Sequence, residues 1–279
     1  MGHHYVPQYY LRGFAVSTSV WVYDKQRKAH FRTQVKSTGN ERGMYSAELE
    51  SFFSEKVEGP ANEAISKARD RQGLDEKERE ALARYLAFFW QRVPRGRDRA
   101  ISKIPQVADE VETEIIDGLT LAATEQPDLS DQVSGLKKRV KEIIRRHRDQ
   151  PSADLWRGAM LLNKDPRIVE AVATMNWQFA VSDTAQFLTC DNPVFFYENE
   201  GVGRPQSELS FPISSSVTLV ASNCRKSPEG RFFRADAKLV TNLNRRTAHN
   251  AQRFAFAQRD EPWIMPFLLK KGWPLPRLK

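Results

Sequence analysis

The chain has only two cysteines among its 279 residues, Cys190 and Cys224. Their separation matches none of the ligand spacings that are typical of zinc sites. No charged and apolar leader is visible at the N-terminus, so we expect a cytoplasmic protein whose thiols stay reduced. We expect Cys190 to be a small core residue rather than a nucleophile.

Long apolar runs are absent too. No stretch reaches the roughly 18 apolar residues that a membrane-spanning helix needs, so we expect no membrane contact. The sequence also has no glycine-rich phosphate loop, no HExxH helix, no CxxC pair and no GxSxG turn. The sequence therefore carries no strong general motif that would point to a particular enzyme class. The 40% of apolar residues are nevertheless enough for a substantial core.

Positive charge is missing from one window of a chain that is otherwise basic. No Lys or Arg occurs between Ile104 and Leu136, a window that carries a charge of −8, whereas the whole chain carries +8. Such a basic body favours polyanionic partners, of which nucleic acid is the one we expect. The basic stretches 92–103 and 137–148 could contact phosphates or form solvated helix faces.

The N-terminal part predicts a hairpin followed by helices. Residues 19–35 contain two short β-branched and aromatic runs around DKQRK, which is typical of a hairpin. Apolar residues then recur at three- and four-residue intervals from 47 to 71, which predicts a helix that Pro60 interrupts. Asp75 and Glu78 have the spacing of a capping box, so a second helix should begin there and end near residue 92.

Further helices and then strands are predicted for the rest of the chain. An acidic helix at 106–123 and a basic helix at 131–148 should pack antiparallel. Another helical pair spans about 152–175 and is broken near Asp165. From Asn176 onward strand patterns predominate, apart from one helix within DAKLVTNLNRRTAHNA.

Together these patterns predict an α+β fold in a single domain over residues 1–279. The hairpin segment 1–45 and the strands of 176–279 should share one mostly antiparallel sheet, with the helical region 46–175 as a large central insertion. In such a sheet the N-terminal histidines can lie near the polar residues that follow the strand QFLTC.

Five short stretches carry a family resemblance. They are HHYVPQYYLRGF at 3–14, VYDK at 22–25, ESFFSEKVEG at 50–59, QRVP at 91–94 and TCDNP at 189–193. In this order they resemble the prokaryotic and phage family known as domain of unknown function 4238. Two departures stand out: Cys190 occupies a position where the family usually has serine, and SEKVEG carries one residue more than the family spacing. The resemblance implies a fold family and no particular activity.

Histidines and carboxylates in these stretches are candidate metal ligands. We predict a site for Mg²⁺, Mn²⁺ or Zn²⁺ built from His3, His4, Glu58 and Asp191, because imidazole and carboxylate groups suit such ions. Glu50, two helical turns before Glu58, would lie on the same helical face.

Structural roles for the same residues stay open beside this prediction. His4 could cap a helix that starts near Pro7. Asp191 and Asn192 could form an Asx turn before the following proline. The two glutamates could pair with arginines of the VPRGRD stretch, because a carboxylate on a core-facing helix needs a partner.

The resulting hypothesis is a metal-dependent phosphodiesterase, most plausibly a nuclease acting on nucleic acid. Its catalytic residues would be His4, Gln91, Asp191 and Asn192, and its phosphate-binding residues would be Arg92 and Arg95. The alternative is a non-catalytic module that binds nucleic acid or a protein, in which the histidines and carboxylates form a structural network. The number of chains that assemble is left open.

Overall fold

A computed structural model describes residues 2–162, 167–197, 201–224 and 228–277 of the chain. It divides into two compact units: a mixed unit of Met1–Arg95 and Asn163–Lys279, and a helical unit of Gly96–Leu162. Helices and antiparallel sheets occur together, with long helices in the middle of the chain, which confirms the predicted α+β class.

The strands of the described residues all lie in the mixed unit. They are β1 (Gly2–His4), β2 (Ser19–Asp24), β3 (Ala29–Gln34), β4 (Asn40–Arg42), β5 (Asn176–Val181), β6 (Thr189–Cys190), β7 (Phe195–Phe196), β8 (Glu208–Pro212), β9 (Val217–Ser222), β10 (Arg231–Arg234) and β11 (Phe254–Ala257).

The helices come from both units. They are α1 (Gln8–Leu11), α2 (Ala47–Phe52), α3 (Gly59–Arg69), α4 (Glu76–Arg92), α5 (Pro94–Glu125), α6 (Ser130–Asp149), α7 (Ala153–Leu162), α8 (Arg167–Thr174), α9 (Ala237–Asn250) and α10 (Ile264–Leu269). The break expected near Asp165 lies outside the described residues. None of the helices in the described ranges is long and apolar enough to cross a membrane.

The predicted hairpin is formed by β2 and β3, and C-terminal strands extend it. The order of this sheet is β3-β2-β11-β6, and every pairing in it is antiparallel. Phe254 pairs with Asp24 at one end of the β11–β2 ladder and Ala257 with Trp21 at the other. The start of the chain and its last strand are therefore neighbours, as the sequence predicted.

The other C-terminal strands form a second sheet, which corrects the expectation of a single one. Its order is β10-β5-β9-β8-β7, antiparallel except for the parallel pair of β10 and β5. Almost every residue of β5, β8 and β9 is buried, whereas β3 is exposed along nearly its whole length. Strands that are buried on both faces need other elements packed on both sides of their sheet. A sheet that ends in the exposed strand β3 does not give them that cover. A further short pair joins β1 to β4.

Aromatic side chains of α4 pack against both the second sheet and the N-terminal helix α1. Asp75 and Glu78 form the predicted capping box at its start. The Phe89 ring lies 5.9 Å from Phe211 of β8 and 5.2 Å from Tyr10 of α1. These rings are fully buried, and they hold α1 against the sheet.

The predicted helix at 47–71 is interrupted before Pro60. Residues Phe53–Glu58 form a π-helical segment between α2 and α3. A π-helical turn accommodates one residue more than an α-helical turn. The segment overlaps SEKVEG, the stretch in which the resemblance implied one residue more than the family spacing.

The helical unit contains the predicted antiparallel pair of an acidic and a basic helix. Lys137 of α6 donates to Thr120 of α5 over 2.7 Å, and Arg148 forms an ion pair with Asp109 over 2.9 Å. These contacts align the two helices in opposite directions on either side of the turn at residues 126–129. Helix α5 starts earlier than predicted, at Pro94, because proline is tolerated in the first turn of a helix.

Candidate functional site

Arg92 is the centre of the cluster that the N-terminal motif residues form. Its side chain is 2% exposed, and Nη1 donates to Oε1 of Glu58 over 2.5 Å. Nη2 donates to the backbone carbonyl oxygen of His4, also over 2.5 Å. The guanidinium group is thus neutralised inside the fold, which leaves it unavailable to a phosphate at the surface.

Aromatic rings complete the surroundings of Arg92. The guanidinium carbon lies 4.3 Å from the ring centre of Phe53 and 5.5 Å from that of Tyr45, close enough for cation–π attraction. The Tyr45 hydroxyl donates to the backbone carbonyl oxygen of Arg92. Burial raises the pKa of Tyr45 to about 12, so this donor stays protonated at neutral pH.

The two histidines bind to backbone groups in this cluster. The amide of Tyr45 donates to Nδ1 of His3 over 3.2 Å. Nε2 of His4 lies 3.2 Å from the carbonyl oxygen of Lys36. Helix α1 begins at Gln8 without a side-chain cap, so His4 holds the loop before β4 rather than capping a helix.

The two glutamates approach the cluster from the interrupted helix. Glu58 forms an ion pair with Arg92. An arginine partner is what the structural alternative predicted for the two glutamates. Oε2 of Glu50 is buried without a hydrogen-bond partner among the described residues. Both carboxylates act on the pKa of Tyr45, which places them near the same phenol.

Asp191 organises a turn that precedes β11. Its carboxylate accepts three backbone N–H groups, from Gln252 over 2.9 Å and from Arg253 and Phe254 over 2.8 Å each. The side chain is buried, and burial raises its pKa against the opposing effect of these three donors. Since Asp191 directly follows β6, these hydrogen bonds join the end of β6 to the start of β11.

Lys25, Arg95 and Cys190 lie around Asp191. Lys25 donates to the carbonyl oxygens of Ala248 and Ala251 over 3.0 and 2.6 Å, and burial lowers its pKa. The charge of Arg95, which is half-buried, acts on the pKa of both Lys25 and Cys190. Cys190 itself is fully buried, and burial raises the pKa of its thiol, so it is a core residue as predicted.

Tyr5 connects the two groups of motif residues. Burial raises its pKa, and the nearby charge of Asp191 raises it further. Tyr45 of the Arg92 cluster also contributes to this shift, so Tyr5 lies between the two groups. The predicted proximity of the N-terminal segment and the TCDNP strand is therefore present.

The remaining predicted catalytic residues lie beside these groups. Gln91 is half-buried on α4. The backbone oxygen of Asn192 accepts a hydrogen bond from Asn250 over 3.1 Å, and its side-chain Oδ1 is buried without a partner in the described part of the chain.

The predicted metal ligands have other contacts. Within the described ranges, no group of three or more His, Cys, Asp or Glu side chains is arranged to hold a metal ion. His3 binds an amide, Glu58 binds a guanidinium group and Asp191 binds three amides. The metal site at His3, His4, Glu58 and Asp191 stays a prediction, and these contacts favour a structural role.

A second candidate site is a cavity of about 970 Å³ on the edge of the five-stranded sheet. It is lined by β10, by the first turns of α9 and by the C-terminal residues at 276–277. Four cationic side chains face it together with one carboxylate: Arg231, Arg234, Lys238, Arg277 and Asp236. We call this cavity the basic groove.

In the described part of the chain, three cations of the basic groove lack the ion pair that neutralises Arg92. Arg231, Arg234 and Lys238 are exposed, and none of them forms an ion pair within the described residues. The single carboxylate, Asp236, caps α9 by accepting from the amide of Leu239 over 2.7 Å. The N-terminus of α9 adds further positive potential.

Half-buried aromatic rings lie between these cations. Phe232 stacks on Phe179 of β5, with ring centres 4.5 Å apart and planes 12° from parallel. Phe233 packs against a core cluster that includes Val240 and Leu243 of α9. Because successive side chains of a strand point to opposite faces, Phe232 and Phe233 lie on opposite faces of β10, between Arg231 and Arg234 in sequence.

No pattern in the sequence predicted this groove. Its signal was the run RFFR at 231–234, in which cationic residues flank aromatic ones. Four residues without an alternating pattern are too few to predict a strand. The pairing of β10 with β5, more than fifty residues earlier, cannot be seen in a local pattern.

Comparison with known proteins gives a family and nothing more specific. No curated protein and no solved structure matches the chain. A family model described as "Protein of unknown function (DUF4238)" matches residues 2–261. This match covers both motif groups, the helical unit and the β10–α9 part of the basic groove, and the chain therefore belongs to the DUF4238 family.

Proposed function

We propose that this protein is a non-catalytic module that binds single-stranded nucleic acid in the basic groove. The observation that carries the proposal is the set of exposed cations, Arg231, Arg234 and Lys238, that have no ion-pair partner in the described residues. Concave surfaces lined by one sign of charge concentrate ligands of the opposite sign. A polyanion with regularly spaced phosphates is the ligand that such a groove attracts most strongly.

The aromatic rings support a single strand over a duplex. Single strands bind where a positively charged groove follows the backbone and aromatic side chains stack on bases. Phe232 and Phe233 are half-buried, and both line the groove, one from each face of β10. A duplex would hide the base faces that these rings could contact.

The contacts of the motif residues favour binding over hydrolysis. A metal-dependent nuclease needs ligands that converge on one ion. The carboxylates of Glu58 and Asp191 instead accept hydrogen bonds from Arg92 and from backbone amides. In this proposal the histidines and carboxylates hold the fold, and the groove does the binding.

The test is fluorescence anisotropy with a labelled single strand of about 12 nucleotides, titrated between about 0.05 and 0.3 M salt. The triple variant Arg231→Gln, Arg234→Gln, Lys238→Gln should bind about 10- to 100-fold more weakly at physiological salt. The matched control is Arg12→Gln, Arg32→Gln, Lys36→Gln, which removes the same charges from exposed positions outside the groove.

Two results would contradict the proposal. Equal weakening by the two triple variants would mean that only the net charge matters. Cleavage of the strand by wild-type protein in Mg²⁺ or Mn²⁺, lost on Asp191→Ala, would support the metal-dependent nuclease instead.

A further inference from the structure

Helix α5 exposes a row of large apolar side chains in the helical unit. Val107, Val111, Ile115 and Leu121 are 50%, 39%, 38% and 60% exposed. They recur at four- and six-residue intervals, so they follow one side of the helix. Four exposed apolar side chains on one helix face exceed the scattered exposure of ordinary surfaces and indicate a contact site.

Helix α6 exposes a matching pair. Leu136 and Ile143 are 47% and 56% exposed, whereas Val133 and Ile144 are buried. The seven-residue spacing puts Leu136 and Ile143 on the same side, two turns apart. From the alignment given by Lys137 and Thr120, Leu136 lies level with Leu121, and Ile143 lies level with Glu114, one residue before Ile115.

Helix geometry puts both rows on the same face of the hairpin. The less exposed residues, Glu112, Ile116 and Leu119 on α5 and Val133 and Ile144 on α6, define the inner side of each helix. At 100° per residue, the exposed row lies about 130° from this inner side on α5 and about 80° from it on α6. Viewed along each helix from its N-terminus to its C-terminus, the exposed row is rotated away from the inner side in the same direction on α5 and on α6. Since the helices are antiparallel, the two rows meet on one side, which we call the apolar face.

The two edges of the apolar face carry opposite charges. On the α5 side the edge is formed by Glu110, Glu114 and Asp117, and on the α6 side by Arg139 and Arg146 with Glu142 between them, so the first edge is acidic and the second keeps a net positive charge. All six are exposed, and none forms an ion pair in the described part of the chain. The face is therefore complementary in charge to a rotated copy of itself.

We propose that the apolar face is covered by the same face of a second copy, which makes a four-helix bundle. The two-fold axis runs parallel to the helices, so that α5 of each copy packs on α6 of the other. This arrangement puts the acidic edge of each copy next to the basic edge of the other. At the height of Glu114 along the bundle, α6 of the second copy presents the part of the helix between Arg139 and Arg146.

The charges exclude the other face-to-face arrangement. A two-fold axis perpendicular to the helices would put α5 on α5 and α6 on α6. Acidic edges would then face each other, as would basic edges, and like charges at close range are unfavourable. The interaction is independent of the basic groove, since no residue of the groove lies in the helical unit.

Sedimentation velocity of the full chain between about 5 and 200 µM tests the proposal. Wild-type protein should shift from monomer to dimer as concentration rises. The double variant Ile115→Glu, Ile143→Glu should weaken association about tenfold or more. Lys141→Glu, on an exposed α6 position outside the apolar face, is the control and should leave it unchanged.

A charge exchange keeps the test decisive if the apolar variants lose helix by circular dichroism. Glu114→Arg and Arg146→Glu should each weaken association, and the two changes together should restore it. Wild-type protein that stays monomeric throughout, or a dimer that neither set of variants affects, would overturn the proposal.

Discussion

Two groups of arginines in the mixed unit differ in what neutralises them. Arg92 and Arg246 are 2% and 1% exposed, and each binds a carboxylate within the fold, Glu58 over 2.5 Å and Glu208 over 2.6 Å. Arg231 and Arg234 are exposed and have no ion-pair partner in the described residues. A guanidinium group that is already paired serves folding, whereas one left unpaired in a cavity is available to a ligand.

This difference separates the motif from the candidate binding surface. The stretches that carry the family resemblance supply Arg92, its partner Glu58 and the carbonyl of His4. The basic groove comes from a segment outside those stretches. A recognisable motif can therefore mark what holds a fold together, and the binding site has to be found from charge and shape.

The largest expected effect is that of breaking the Arg92 pair. Arg92→Met should lower the free energy of unfolding by about 3–5 kcal/mol, because Glu58 would be left partly buried without its partner. Urea unfolding measures this. Arg234→Met, on an exposed position, is the control and should change stability by less than about 0.5 kcal/mol. Equal effects of the two changes would remove the distinction between the groups.

Asp191 extends the comparison from arginines to carboxylates. Asp191→Ala would leave three backbone N–H groups without an acceptor, so the free energy of unfolding should fall by at least about 2 kcal/mol.

A metal titration separates this structural role from the predicted metal site. The melting temperature of wild-type protein should not rise when Mg²⁺, Mn²⁺ or Zn²⁺ is added after chelation, because a ligand raises it only by binding the folded state. A rise that Asp191→Ala abolishes would restore the metal hypothesis.

Local patterns were enough to predict the elements whose contacts are local. The β2–β3 hairpin, the capping box at Asp75 and the start of α9 follow from residues within a few positions of one another. The division of the C-terminal strands between two sheets did not follow, because pairings such as β10 with β5 join residues far apart in sequence. Periodicity in a sequence predicts that a segment forms a strand, but it does not predict which other strand will pair with it.

The candidate site was predicted in part for the same reason. The proximity of the N-terminal segment and Asp191 followed from pairing the hairpin with the last strands. The burial of Arg92 did not, because it depends on the π-helical segment that brings Glu58 to its guanidinium group. The sequence shows that an arginine is present, but it does not show whether a carboxylate neutralises it in the folded protein.

The pair of Asp24 and Arg253 is intermediate between the two groups and gives a pH-dependent effect. Asp24 is buried and Arg253 is 37% exposed, with 2.8 Å between Oδ2 and Nη2. Although burial raises the pKa of Asp24, hydrogen bonds from Arg253 and from the amides of Arg27 and Gln26 lower it overall.

Because the folded-state pKa lies below the unfolded one, the stabilisation from Asp24 is present above about pH 4 and is lost as pH falls below that value. Asp24→Asn should therefore lower stability at pH 7 and flatten its decline in acid, measured by thermal unfolding between about pH 2 and 7. An unchanged acid limb would mean that the pair contributes nothing.

The smallest expected effect concerns a single cation of the basic groove. Arg234→Gln should leave the melting temperature unchanged, because Arg234 is exposed and unpaired in the described residues. It should lower the slope of log affinity against log salt by about 0.7, the contribution of one phosphate contact to a single strand. Arg32→Gln, on the exposed strand β3, should change neither quantity. A loss of stability in Arg234→Gln would move this arginine into the group of Arg92, and the groove would then have a structural role.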